Sequence, residues 1–330
     1  MPIDDPAWPR ADAWLERADP DPVLAVVGVP TSAGSLSPSE AWSTPPRLRR
    51  VLERFSIYQG EQRLDLGALA VADLGDWGLE GLDLEASQAA VERHARQLSE
   101  GSIYAFFGGD NAITRPLVRG LARGDLSRVG VLTLDAHHDV RTLESGPTNG
   151  TPIRGLVEDG LPDGRVVQVG IHSFANSRQY RQYCDEHQIR VVSIQDLEEE
   201  GIRQAVVGGL SWLADRCEWI YVDVDLDVLD RAFAPACPGA RPGGLHPRQL
   251  AAAAFLCGAH PRVRAADFVE VDAARDVNDL TLMNAAHAFL SFAAGLARRR
   301  ERQADMDLPP GGGSQGAKSL PPGGGSQGAK

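Results

Sequence analysis

Lysine is nearly absent from this 330-residue chain. Its only two, Lys318 and Lys330, stand in a repeated tail. Basic residues of both kinds number 33 against 45 acidic ones, a net charge of −12. That balance excludes the broad positive surface that nucleic acid or an anionic membrane demands. Cysteine is scarce as well. Cys184, Cys217, Cys237 and Cys257 are scattered, with no CxxC pair. The pattern predicts buried thiols in a reducing, cytoplasmic setting. No apolar run approaches the length of a bilayer span, and the acidic, proline-rich start MPIDDPAWPRADAW is unlike a secretion signal.

What is present is a regular alternation of apolar runs and amphipathic stretches. Apolar strands are expected over 23–29, 69–72, 102–107, 129–134, 165–169, 190–193, 219–224 and 263–269. Helices are expected between them, the longest over 279–298. Strand and helix alternating about eight times predict one α/β domain, a parallel sheet with helices on both faces. Residues 1–22 read as an irregular arm and 23–304 as the domain. Residues 305–330 read as a disordered tail, because DLPPGGGSQGAK is followed at once by SLPPGGGSQGAK, with little to bury.

The chemistry gathers where strands end. The run LTLDAHHDVR opens apolar and then breaks into Asp135, His137, His138 and Asp139. Asp135, His137 and Asp139 alternate, so extended backbone points them one way. Two carboxylates and an imidazole suit a divalent cation such as Mn²⁺. Three other strands also end in polar clusters: GGDN (108–111), DVDLD (223–227) and EVD (270–272). A parallel sheet places all four ends on its carboxyl edge, where such folds bind ligands. Asp135, His137, Asp139, Asp225 and Asp227 can then converge. Carboxylates so crowded repel unless cations neutralise them, and two divalent ions sharing them would also activate water. A lone DxHxD would read as a capped loop, and DVDLD alone as a solvated strand edge. Two such bursts, each directly after a buried strand, favour metal.

These motifs resemble the ureohydrolase superfamily of arginase, agmatinase and formimidoylglutamase. DAHHD resembles its DAHxD; DLDVLDRAFAP resembles DxDxxDPxxxP, with Arg231 at the usual proline; GGDNA resembles GGDHS. DLGD (73–76) and the early GVP motif match too. The resemblance implies a three-layer α/β/α sandwich with a mostly parallel eight-stranded sheet and two Mn²⁺ per subunit. It implies that Asp135 and Asp225 bridge the metals, that Asp139 completes one site, and that His137 and Asp227 complete the other. Asn111 stands where most of the family has a metal-binding histidine, so that side is expected to bind weakly. Glu270 would pair with the substrate's amidine or guanidine. Asn149 falls where arginases carry a histidine, which disfavours arginase itself.

Neighbouring words resemble the formimidoylglutamase branch: DAHHDVR, TNGTPIR, and GIHSFANS followed by Tyr180. The resemblance then implies hydrolysis of N-formimino-L-glutamate to L-glutamate and formamide, in histidine degradation. Arg141 and Arg154 would hold the substrate's carboxylates, with Asn149, Asn176 and Tyr180 as polar helpers. Asp139 would carry the proton to the leaving nitrogen. Two alternatives stand beside this reading. One is an agmatinase or guanidino-acid hydrolase that releases urea. The other is a non-catalytic subunit of the same fold, suggested by Asn111. The family commonly forms oligomers, so a homo-oligomer is expected.

Overall fold

Eight strands join into a single sheet, all parallel, in the computed structural model, which describes residues 5–307. In chain order they are β1 Leu24–Val29, β2 Val71–Asp76, β3 Ile103–Gly108, β4 Val129–Leu134, β5 Val166–Ile171, β6 Arg190–Ser193, β7 Trp219–Asp225 and β8 Val263–Val269. Their order across the sheet is β2-β1-β3-β8-β7-β4-β5-β6. The inner strands β1, β4, β5 and β7 are buried at every position, as expected of strands covered on both faces. Of the tail expected over 305–330, residues 305–307 continue the last helix instead, and the rest lies outside the described residues.

Ten α-helices cover the sheet among the described residues. They are α1 Ala11–Leu15, α2 Thr44–Val51, α3 Leu84–Gln97, α4 Thr114–Leu121, α5 Pro152–Glu158, α6 Arg178–Glu186, α7 Ile194–Glu200, α8 Ile202–Ala214, α9 Pro247–Ala259 and α10 Leu280–Asp307. One face of the sheet meets a cluster of aromatic rings. Phe107 and Phe289 pack edge to face at 4.8 Å, and Phe268 meets Phe289 and Phe292 similarly. Helices α9 and α10 touch backbone to backbone. A Cβ on Gly258 would lie 2.0 Å from the Phe292 carbonyl oxygen, and one on Gly295 would lie 2.2 Å from that of Phe255. Over residues 280–304, α10 has the length and apolarity to cross a membrane, yet most of that stretch is buried in the fold.

The amino-terminal arm departs from the irregular expectation. It contains α1, whose Trp14 is buried and donates from Nε1 to the Leu69 carbonyl at 3.3 Å. Strand β2 runs on through the DLGD motif rather than stopping at residue 72. Arg49 on α2 explains why acids are tolerated on this edge strand. Its guanidinium forks onto Asp73, with Nη2–Oδ1 at 2.8 Å, and also reaches Asp76.

Candidate active site and metal centre

The four strands that end in polar clusters are β3, β8, β7 and β4. They lie side by side in the middle of the sheet. This adjacency gathers residues 108–111, 135–139, 223–227 and 270 at one edge. Two of the residues that turn the chain there have left-handed backbone: Asp139 at φ 54° and Glu270 at φ 67°. Such strain in non-glycine residues is typical of sites where a side chain must be aimed.

Asp135, His137 and Asp227 offer ligand atoms within 4.8 Å of one another. His137 Nδ1 lies 2.9 Å from Asp227 Oδ2 and 3.6 Å from Asp135 Oδ1. Asp225 is buried beside them and accepts the Asp227 N–H at 2.8 Å. Asp139 is buried too and accepts from Asn111 Nδ2 at 2.7 Å. Asp135, His137 and Asp227 thus form the tight cluster, and Asp139 and Asp225 line the same cavity as His137 and Asp227. Gly239 closes over them, because a Cβ there would lie 2.1 Å from Asp227 Oδ2.

The electrostatics are those of an anion cage. Burial, then the charge of neighbouring Asp135, pushes the Asp139 carboxyl well above the usual carboxylate range. Burial, then Asp227, does the same to Asp225. Burial and Asp227 raise Asp135 to about 6. Burial alone would lower His137, but Asp227 and Asp135 overcome it and hold the imidazolium up to about 12. Burial would raise Asp227, and the positive His137 keeps it low instead. Protein protons thus stand where cations would neutralise the same charge. Hard carboxylate oxygens with one imidazole and one amide fit divalent ions of the Mn²⁺ kind.

A cavity of about 140 Å³ opens above this cluster. His137, Asp139, Asp225 and Asp227 form its floor, and Glu270 lines it as well. Glu270 Oε1 accepts from the Asn111 N–H at 2.7 Å and from Asn149 Nδ2 at 3.0 Å. Among the described residues no hydrogen bond reaches Oε2. Burial and the nearby Asp110 raise the Glu270 carboxyl to about 8. Arg141, Asn149, Asn176 and Tyr180 line the walls as expected. Asn176 also braces the metal turn, accepting from the His138 N–H at 2.8 Å and donating to the Ala136 carbonyl at 3.0 Å.

Arg154 is the correction. It does not line the cavity. Its Nε donates to the Val140 carbonyl at 2.9 Å, and its guanidinium lies 4.1 Å from the Tyr183 ring centroid. Placed on α5, it braces the loop behind the metal turn. Arg241, which the sequence does not single out, stands on the cavity wall where Arg154 was expected, with Nη1 donating to the Gly239 carbonyl at 2.7 Å. Its loop, PGARPGG, carries turn signals and no chemical motif, so only folding reveals it. His138 faces away from the centre, bonded through Nδ1 to Gln168 Oε1 at 2.6 Å.

The match to the arginase family model spans residues 23–295. The chain belongs to the arginase family. Among curated relatives, the formimidoylglutamase of Halalkalibacterium halodurans is 38% identical over 277 residues, covering 82% of this chain and 86% of that protein. The crystal structure of Bacillus subtilis formimidoylglutamase is 31% identical. It superposes with a TM-score of 0.84 over 90% of this chain and 94% of that one. The guanidinopropionase of Pseudomonas aeruginosa is 29% identical, over 85% of this chain and 89% of that protein. The arginase-family sandwich predicted from the motifs is therefore the fold this chain adopts.

Proposed function

We propose that this protein is a formimidoylglutamase. It hydrolyses N-formimino-L-glutamate to L-glutamate and formamide, a step of histidine breakdown, with two Mn²⁺ at the strand ends. The observation that carries the substrate assignment is the cavity's charge layout. The open Glu270 Oε2 suits a planar amidinium, while Arg141 and Arg241 on the same cavity suit carboxylates. The relatives named formimidoylglutamase support it. Asp135, His137, Asp139, Asp225 and Asp227 would hold the metals, with Asn111 at the edge of one site. When bound, the two Mn²⁺ supply Lewis-acid activation of water.

The chain's own residues do the rest. Glu270 meets the substrate's cation, and that cation draws its carboxyl back to the ionised form. Asn149 keeps Oε1 occupied, so Oε2 sets the amidinium's direction. The arginines hold the glutamate carboxylates and so fix the formimidoyl carbon over the acidic floor. Asp139 takes the proton released on attack and returns it to the leaving glutamate nitrogen.

A guanidino-acid hydrolase is the second reading. The guanidinopropionase relative favours it, and its substrate class would use the same arginines. Agmatine fits less well, because its free ammonium would approach Arg141 and Arg241. The test is product release by Mn²⁺-loaded protein given N-formimino-L-glutamate, 4-guanidinobutyrate, agmatine and arginine in parallel. Glutamate and formamide from the first alone are expected. Urea from a guanidino acid would overturn the substrate assignment and keep the hydrolase.

A further inference from the structure

Thr114, the first residue of α4, has one hydroxyl proton and two acceptors. Its Oγ1 lies 2.7 Å from Asn111 Oδ1 and 2.6 Å from Asp267 Oδ2. All three residues are wholly buried. Asp267 is the stronger claimant as a carboxylate, and it also accepts from the Tyr221 hydroxyl at 2.7 Å and the Val224 N–H at 3.3 Å. A hydroxyl supplies a single proton, so one of the two contacts brings oxygen against oxygen with nothing between them. At its other end the Asn111 amide donates from Nδ2 to Asp139 Oδ2 at 2.7 Å.

Turning the amide by half a revolution exchanges its ends. Nδ2 then donates to Thr114 Oγ1, and Thr114 donates to Asp267, so every proton has one acceptor. The conflict moves to the opposite side, where Oδ1 now faces the Asp139 carboxylate. That arrangement holds with either a proton on Asp139 or a cation between the two oxygens, and a bound cation takes the proton's place. We infer that Thr114 and Asp267 are a positioning pair that selects which end of the Asn111 amide faces the metal centre, and that cation loading turns the amide from a donor to Asp139 into an oxygen ligand. The inference rests on the metal-centre reading above and is independent of the substrate. Thr114 touches neither metal nor substrate. It acts through Asn111, which becomes a conditional ligand.

The experiment is Mn²⁺ titration of the metal-stripped full-length protein. It is followed by calorimetry and by the exchange-coupled two-manganese signal in electron paramagnetic resonance. Wild type and Thr114→Ser should bind two Mn²⁺ alike. Thr114→Val should weaken the looser site about tenfold, the worth of one buried hydrogen bond, and leave the tighter one unchanged. In an Asn111→Ala background Thr114→Val should change nothing. Asp267→Asn is the alternate probe should the valine variant not fold, and it should weaken the same site. Equal affinities in wild type and Thr114→Val overturn the inference. So does an undiminished loss in the Asn111→Ala background, since the effect would then bypass the amide. Wild-type protein binding fewer than two Mn²⁺ overturns the metal-centre reading, and this inference with it.

Discussion

Two arginines and one glutamate divide the charge of the cavity, and each should fail in its own way. Arg141→Ala and Arg241→Ala should each raise KM for N-formimino-L-glutamate about tenfold or more, the value of a charge-assisted contact, and should ease rather than worsen the fit of agmatine, whose ammonium they repel. Steady-state kinetics on both substrates check this. Arg154→Ala should instead leave KM alone and cost about 1–2 kcal/mol of stability, through the lost carbonyl bond and the lost stacking on Tyr183. Denaturant unfolding separates the two outcomes. Asn111→His should retain more of the second Mn²⁺ through dialysis than wild type does, because imidazole is the better donor. At this scale the sequence was readable wherever a residue sat in a motif that ends a strand. Asp135, His137, Asp225, Asp227 and Glu270 all reach the expected place. It was unreadable where position depends on a loop's path. Arg154 and Arg241 are both arginines near Gly and Pro, and only the turn of α5 and the closure of the 231–244 loop decide which one meets the cavity.

At the scale of elements, the close crossing of α9 and α10 is the most exacting contact away from the site. Gly258→Val should force the helices apart and cost about 1–3 kcal/mol, as overpacking does. Thermal unfolding measures the loss, and an unchanged midpoint would show that the crossing can yield. Strands buried on both faces were legible because nothing competes with a continuous apolar run. β4, β6 and β8 begin and end where the sequence places them. Other elements draw on partners distant in the chain. Helix α7 follows β6 directly and is set by a capping box between Ser193 and Asp196, a local signal masked by the acidic run behind it. Helix α1 is five residues long and stands only because Trp14 finds a socket beside Leu69 and Phe289. The short hairpin of Tyr58–Gln59 and Leu64–Asp65 has too few residues for a period to show.

For the whole molecule, the caged charge should govern how stability follows pH. Without metal, Asp135 and Glu270 titrate near 6 and 8 when folded but near 3.8 and 4.5 otherwise. His137 stays protonated to about 12 rather than 6.5. In each case the folded state binds more protons than the unfolded one as pH rises, so stability must fall. The cage should therefore cost metal-stripped protein stability between about pH 4 and 8, opposed below about pH 6.5 by His138 and His172, which burial holds neutral, and Mn²⁺ should restore most where the loss is greatest. Melting curves with and without chelator across that range check the sign; a metal-free protein that grows more stable toward pH 8 would contradict it. The strand order carries one more consequence, for time rather than energy. β8 is the last strand of the sheet to be synthesised, yet it lies between β3 and β7. At about 5–20 residues per second, a nascent chain waits several seconds after β7 emerges before β8 can enter. Until then its two half-sheets have a gap where their centre will be. No shorter chain can close that gap, so neither the fold nor a complete metal centre can exist on the ribosome before residue 270 is free.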